Sequence, residues 1–157
     1  MPSFQAQIKD NFCFGCGADN HASLQLQSTW EDGDTSVARW TPDAIHAAGP
    51  RHVVNGGIIA TVLDCHGVVT AIAATYRREG RDIGSDPEIW CATTALKVEY
   101  LRPTPLGPEL TLRGRVASVD GDRSSVECTL EAEDKERARA IVDVIRVPES
   151  WRRPAAT

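Results

Sequence analysis

The sequence predicts an α+β domain in which an antiparallel sheet of about six strands curves around one long central helix. Three observations predict it. A proline-free stretch from Asn55 to about Gly80 is too long for a strand and apolar nearly all round, so it has to be enclosed. On both sides of it apolar and polar residues alternate with the period of two that a half-buried strand requires. The breaks between the later alternating runs are short enough for antiparallel neighbours.

Residues 1–22 are predicted as an N-terminal loop segment of the single domain 1–157. Leu24, Leu26 and Trp30 against Gln25, Gln27 and Thr29 then read as a first strand, from Leu24 to Trp30. Glu31-Asp32-Gly33-Asp34 is a turn signal, and Thr35 to Trp40 is the partner strand. Pro42 to Pro50 is loop. Asn55-Gly56-Gly57 opens the helix, predicted over about 56–78, and Arg81 to Glu88 is a polar loop. Four more strands follow, around Leu96-Val98-Tyr100, Leu110-Leu112-Val116, Val126-Cys128-Leu130 and Ala140-Val142-Val144. One apolar helix needs a sheet curved around it, with a second subunit over the apolar surface that remains.

Composition narrows the function classes. The chain has 157 residues, within the range of one domain, and 22 acidic against 17 basic residues, a net charge of −5. No broad basic field exists, which argues against nucleic-acid binding. The N-terminus lacks a basic start followed by an apolar run, so no secretory signal is expected. Asp64 and His66 near the middle of the apolar stretch argue against a membrane span. Five cysteines in an odd, sparse pattern fit free thiols and a cytoplasmic location.

Asp64 is the one acidic residue between Asp43 and Glu79, among Val62, Leu63, Val68 and Val69. A buried carboxylate is costly unless paired or hydrogen-bonded. The position fits an Asp on the helix's one solvated stripe, an Asp paired with an Arg, or a functional carboxylate. Gly56-Gly57 at the helix start fits a flexible turn. It equally fits a site where unpaired N–H groups at the positive end of the helix dipole meet an anion or a polarised carbonyl. Gly56 and Asp64 are eight residues apart, about 12 Å along a helix. One helix cannot bring both to one carbon, whereas two antiparallel helices related by a two-fold axis can. If the two act together, the protein is at least a dimer.

Val54-Asn-Gly-Gly-Ile-Ile-Ala-Thr-Val-Leu-Asp64 and Thr93-Thr-Ala-Leu-Lys-Val-Glu-Tyr-Leu-Arg-Pro103 together resemble the hotdog-fold thioesterases of the phenylacetate-pathway (PaaI-like) type. Asn11-Phe-Cys-Phe-Gly-Cys-Gly17 with Asn20 and Leu24 is similar to the opening of many members. The resemblance implies hydrolysis of an acyl-CoA thioester without metal or cofactor, by a homodimer or a tetramer of such dimers. It implies that the Gly56 N–H polarises the carbonyl, that Asp64 is general base or nucleophile, and that Thr93 orients the water or the carboxylate. Asn55, Gly57, His52, Thr94 and Arg102 are the implied substrate-binding positions. The chain departs from the family at Asn55, where His is usual, at Gly49, where some members carry Asn, and in a longer Arg77 to Trp90 stretch.

Other signals have plainer readings. Cys13-x-x-Cys16 with His21 is half a zinc pattern, but no second pair follows, which favours an ordered loop packed near the site. His66 lies about 200° round the helix from Asp64 and reads as a core or interface histidine. His46 and His52 precede the Gly-Gly turn, placed to line a pocket. Arg77, Arg78, Arg81 and Arg102 are candidates for the CoA phosphates. Trp30, Trp40, Trp90 and Tyr100 read as core. The alternative functions are a non-catalytic acyl-CoA-binding hotdog protein and, behind it, a hotdog hydratase, whose chemistry usually pairs a His with a carboxylate.

Overall fold

A computed structural model describes residues 1–155. The elements run α1 (Phe4–Gln7), β1 (Ser28–Asp32), β2 (Thr35–Trp40), α2 (Gly56–Arg78), β3 (Trp90–Tyr100), β4 (Leu110–Asp120), β5 (Arg123–Ala132) and β6 (Lys135–Val147), with 3-10 turns at Ala44–His46 and Glu149–Arg152. The six strands form one sheet in the order β1-β2-β4-β5-β6-β3, every neighbouring pair antiparallel. The α+β prediction holds, and α2 and β2 have the predicted bounds.

The strands bury alternate residues against α2. Leu110 and Leu112 of β4, Val126, Cys128 and Leu130 of β5, and Ala138, Ala140, Val142 and Val144 of β6 pack on Val62, Leu63, Val69 and Ile72. Helix and sheet approach closely at Gly67, where an added β-carbon would lie 2.6 Å from a Val142 methyl. By length and composition α2 passes for a membrane span, yet most of it is enclosed here as the core helix. Its less covered stripe runs through Gly57, Thr61, Asp64 and Val68, at the spacing that shares one helix face.

Behind α2 a chain of buried polar groups crosses the core. His66 is fully buried, with Ser28 Oγ 2.8 Å from Nδ1 and Ser36 Oγ 3.0 Å from Nε2. Gln5 Nε2 donates to Ser28 Oγ and its Oε1 accepts the Ser28 N–H. Ser36 Oγ also contacts Thr70 Oγ1 and the Gly114 carbonyl, and Thr70 donates to the His66 carbonyl. His66 is a core histidine, as predicted.

Three elements differ from expectation. The first strand begins at Ser28, not Leu24. Gln25 has a left-handed backbone (φ 57°), and its amide nitrogen donates to the Gly17 and Asn20 carbonyls. Leu24 and Leu26 are buried by bonding Phe14 and Gly15 of the N-terminal segment, so their alternation marks burial without sheet pairing. That N-terminal segment carries a helical turn, α1, capped by Ser3. Tyr100 is exposed and Trp30 and Trp90 are half-buried, leaving Trp40 as the one core aromatic of the four. Trp30 and Trp90 each lie beneath a guanidinium, of Arg77 and Arg152.

Candidate active site

The start of α2 is set by Asn55. Its side-chain oxygen accepts from the N–H groups of Gly57 (2.8 Å) and Ile58 (3.2 Å), the N-cap arrangement that short polar side chains favour. Gly57 therefore gives its N–H to the cap. Among the described residues no group bonds the N–H of Gly56, which leads the helix at its positive end. The Gly56 carbonyl accepts from Tyr100 Oη at 2.7 Å. Tyr100, read from sequence as core, thus belongs to the helix start. Its place in the Tyr-Leu-Arg-Pro run, on the strand face turned to α2, was the available signal.

Two turns further on, Asp64 is half-buried on the less covered stripe, and Thr93 Oγ1 of β3 donates to its Oδ1 at 2.7 Å. Burial lifts the Asp64 carboxyl above the usual carboxylate range; the Thr93 bond opposes that lift and the nearby Cys13 sulfur adds to it. One carboxylate oxygen is held from the strand. The other has no hydrogen-bond partner among the described residues.

A β-bulge makes the contact. Thr93 pairs with Val144 and Leu96 with Val142, so two residues of β3 oppose Asp143 alone. Without the extra residue, Thr93 and the inward-facing Leu96-Val98-Tyr100 set would point to opposite faces. With it, all face α2. Thr94 is the bulge residue, and its hydroxyl donates to the Asp143 carbonyl in a cleft of the outer face with Ser118 and Arg123. The structure does not bring Thr94 to Asp64.

Near the helix start, the Val54 N–H bonds the Thr104 carbonyl and the Leu106 N–H bonds the His52 carbonyl. These bonds draw 102–106 alongside 52–55, so His52 and Arg102, both exposed, sit toward the Gly56 end. Arg102 donates to the Glu136 carbonyl through one guanidinium nitrogen. The other candidate arginines are engaged elsewhere: Arg77 over Trp30 and on the Gly33 carbonyl, Arg78 on Thr75, Arg81 on Glu79. His46 accepts the Asp43 N–H and lies against the Trp40 ring, which gives it a role in the loop.

A family model described as the thioesterase superfamily matches residues 52–138, which include the helix start, Asp64 and Thr93. A thioesterase superfamily protein from Shewanella loihica is 33% identical, with a TM-score of 0.64 over 78% of this chain and 91% of that one. The PaaI protein of the E. coli phenylacetic acid degradation operon is 16% identical, with a TM-score of 0.64 over 80% of this chain and 81% of its own. Smu.793 of Streptococcus mutans, solved bound to acetyl-CoA, is 15% identical, with a TM-score of 0.62 over 78% and 88%. At such identities the last two speak to the fold, which is the hotdog arrangement of sheet around helix. No curated protein matches the chain.

Proposed function

The chain belongs to the thioesterase superfamily, and from that premise we propose that it hydrolyses an acyl-CoA thioester to the free acid and CoA. The observation that carries the reading is the Thr93–Asp64 bond, which fixes one oxygen of a half-buried carboxylate whose other oxygen has no hydrogen-bond partner among the described residues. Smu.793 binding acetyl-CoA on the same fold supports a CoA thioester as the ligand.

In this reading Asp64 either takes a proton from the attacking water or attacks the thioester carbonyl itself. The Gly56 N–H stabilises the oxygen as it gains negative charge. Thr93 is a positioning residue. Asn55 holds the turn by capping, and His52 and Arg102 flank the path that the CoA phosphates take toward the helix N-terminus.

The centre is proposed to lie between two chains, because Gly56 and Asp64 are separated by about 12 Å of helix. The exposed face of a single chain supports this. β3 is an edge strand of 11 residues whose inward-facing Leu96 is 38% exposed, while its sheet partner Val142 is fully buried. A second copy over β3 and the Gly57–Val68 stripe covers both and sets the two helices antiparallel. A homodimer, alone or paired into a tetramer, working in the cytoplasm and without resident metal chemistry at Asp64, completes the proposal.

Release of the CoA thiol across a panel of acyl-CoA esters tests it, with Asp64→Asn alongside. Turnover of at least one ester, lost in the variant, is expected. Tight binding of acyl-CoA with no turnover of any ester overturns hydrolysis in favour of a binding protein, and hydration of enoyl-CoA esters would assign the fold to hydratase chemistry.

A further inference from the structure

The N-terminal loop brings Cys13 and Cys16 onto α2 at Cys65, and the three sulfur atoms all lie within 4.8 Å of one another. Cys13 Sγ and Cys65 Sγ are 3.5 Å apart. That is far beyond the roughly 2.05 Å of a disulfide. It is near the roughly 3.8 Å edge of a tetrahedron drawn with zinc–sulfur bonds of about 2.3 Å.

The loop that carries two of these thiols is built to hold them. The Gly17 N–H closes on the Cys13 carbonyl at 2.8 Å, and Asn11 Oδ1 accepts the Cys13 N–H. Asn11 is in turn held by both the backbone N–H and the carboxylate of Asp19. Gly15 is the point of closest approach: a β-carbon there would lie 2.4 Å from Cys65 Sγ and 2.9 Å from a Thr61 methyl. A β-carbon at Gly17 would strike the backbone of Cys13 and Asn11 at 2.4–2.6 Å. Neither glycine leaves room for a side chain, and the result is three converging sulfurs.

We propose that Cys13, Cys16 and Cys65 form a binding site for a thiophilic d10 cation, Zn2+ or Cu+, which pins the N-terminal loop to α2 beside Asp64. Soft thiolates select these ions. On binding, each sulfur that still carries a proton gives it to solvent as it takes the cation. With Zn2+ a water completes four ligands from the side where Cys13 meets solvent; with Cu+ the three sulfurs suffice. No second Cys pair follows Cys16 in the chain. The third thiol comes from the middle of the helix, which spacing along the chain does not reveal.

The site is independent of thioester hydrolysis, and its test needs no substrate. Chelator-treated full-length protein is titrated with Co2+, then Zn2+, and in a separate anaerobic arm with Cu+. One Co2+ per chain is expected, with the sulfur-to-cobalt charge-transfer absorption of bound thiolate. Zn2+ should abolish that absorption, and the Cu+ arm shows which ion the trio prefers. Cys65→Ser and Cys13→Ser should each lose the signal. Wild-type protein supplies the readout if a variant fails to fold: under native conditions the bound ion should shield Cys13, the exposed member of the trio, from alkylation, chelator should restore its labelling, and Cys91 and Cys128 should not change. The proposal is overturned by no charge-transfer absorption with Co2+ and no protection by Zn2+ or Cu+. It is overturned equally by binding that survives in folded Cys65→Ser, or by a Cys13–Cys65 disulfide, two hydrogens lighter, that holds no metal.

Discussion

Thr93 of the edge strand donates its hydroxyl hydrogen to Asp64 in the middle of the core helix, 2.7 Å away. The bond joins two residues 29 apart in sequence and fixes one carboxylate oxygen while the other stays open. Asp64→Asn is expected to lower kcat by orders of magnitude with the fold intact, since the amide neither accepts a proton nor attacks a carbonyl. Thr93→Ala is expected to lower kcat about tenfold with KM little changed, and Thr93→Ser to recover most of the loss. Steady-state kinetics on the best ester, with circular dichroism for folding, checks both. A Thr93→Ala enzyme altered in KM alone would remove the positioning role.

Why this pair was legible, and its setting less so, follows from the bulge. The helix was visible because a 23-residue apolar run without proline has few other solutions, and β2 and β4 to β6 because their buried residues alternate over most of each strand. In β3 the alternation of Leu96, Val98 and Tyr100 puts even positions inward, which is at odds with Thr93. The extra residue at Thr94 that reconciles them depends on pairing with β6, and nothing local specifies it. Leu24 to Gln27 failed for the converse reason. Alternating burial there is met by contacts with the N-terminal loop, and period two cannot tell those contacts from a strand partner. The thiol cluster was hidden because its third member comes from α2, 49 positions beyond Cys16.

Gly67 sets the distance between helix and sheet. In an open helix Gly→Ala stabilises by roughly 1 kcal/mol. At position 67 the new carbon would lie 2.6–2.7 Å from Val142 side-chain atoms, and both partners are buried in the core. Overpacking of this kind costs typically about 1–3 kcal/mol, so Gly67→Ala should destabilise against its propensity. Urea unfolding should show a lower midpoint with an unchanged slope; an equal or higher midpoint would mean that helix and sheet separate freely.

His66 gives the fold a pH dependence. Burial lowers its pKa from 6.5 to about 4. The hydrogen bonds agree with a neutral ring. Gln5 donates to Ser28 Oγ, whose own hydrogen goes to Nδ1, while Nε2–H donates to Ser36, which donates onward to Gly114 or Thr70. A protonated ring would need the Ser28 hydroxyl to accept from two donors. Because the folded pKa lies below the unfolded value, the unfolded chain binds the extra proton between pH 6.5 and 4. The stabilisation is therefore complete above about pH 6.5 and falls through that window, by about 3 kcal/mol in all. Denaturant unfolding of chelator-treated protein from pH 8 to 4 should show this decline, and His66→Gln should flatten it.

The two-chain centre can be tested by complementation, because Gly56 offers a clean deletion. Gly56→Pro removes the N–H at the first helical position, where proline is favoured. Asn55, at φ −58° and ψ 133°, already has the extended backbone that a following proline requires. The helix should survive while the proposed oxyanion donor is gone. Gly56→Pro and Asp64→Asn should each be nearly inactive alone. If the centre pairs Gly56 of one chain with Asp64 of the other, a mixed dimer has one site with both defects and one with neither. After unfolding and refolding an equal mixture, half the dimers are mixed, and activity should return to about a quarter of wild type. Recovery needs donor and carboxylate from different chains. A mixture that stays as inactive as its parents, while mixed dimers are shown to form, would place both groups of each site on one chain.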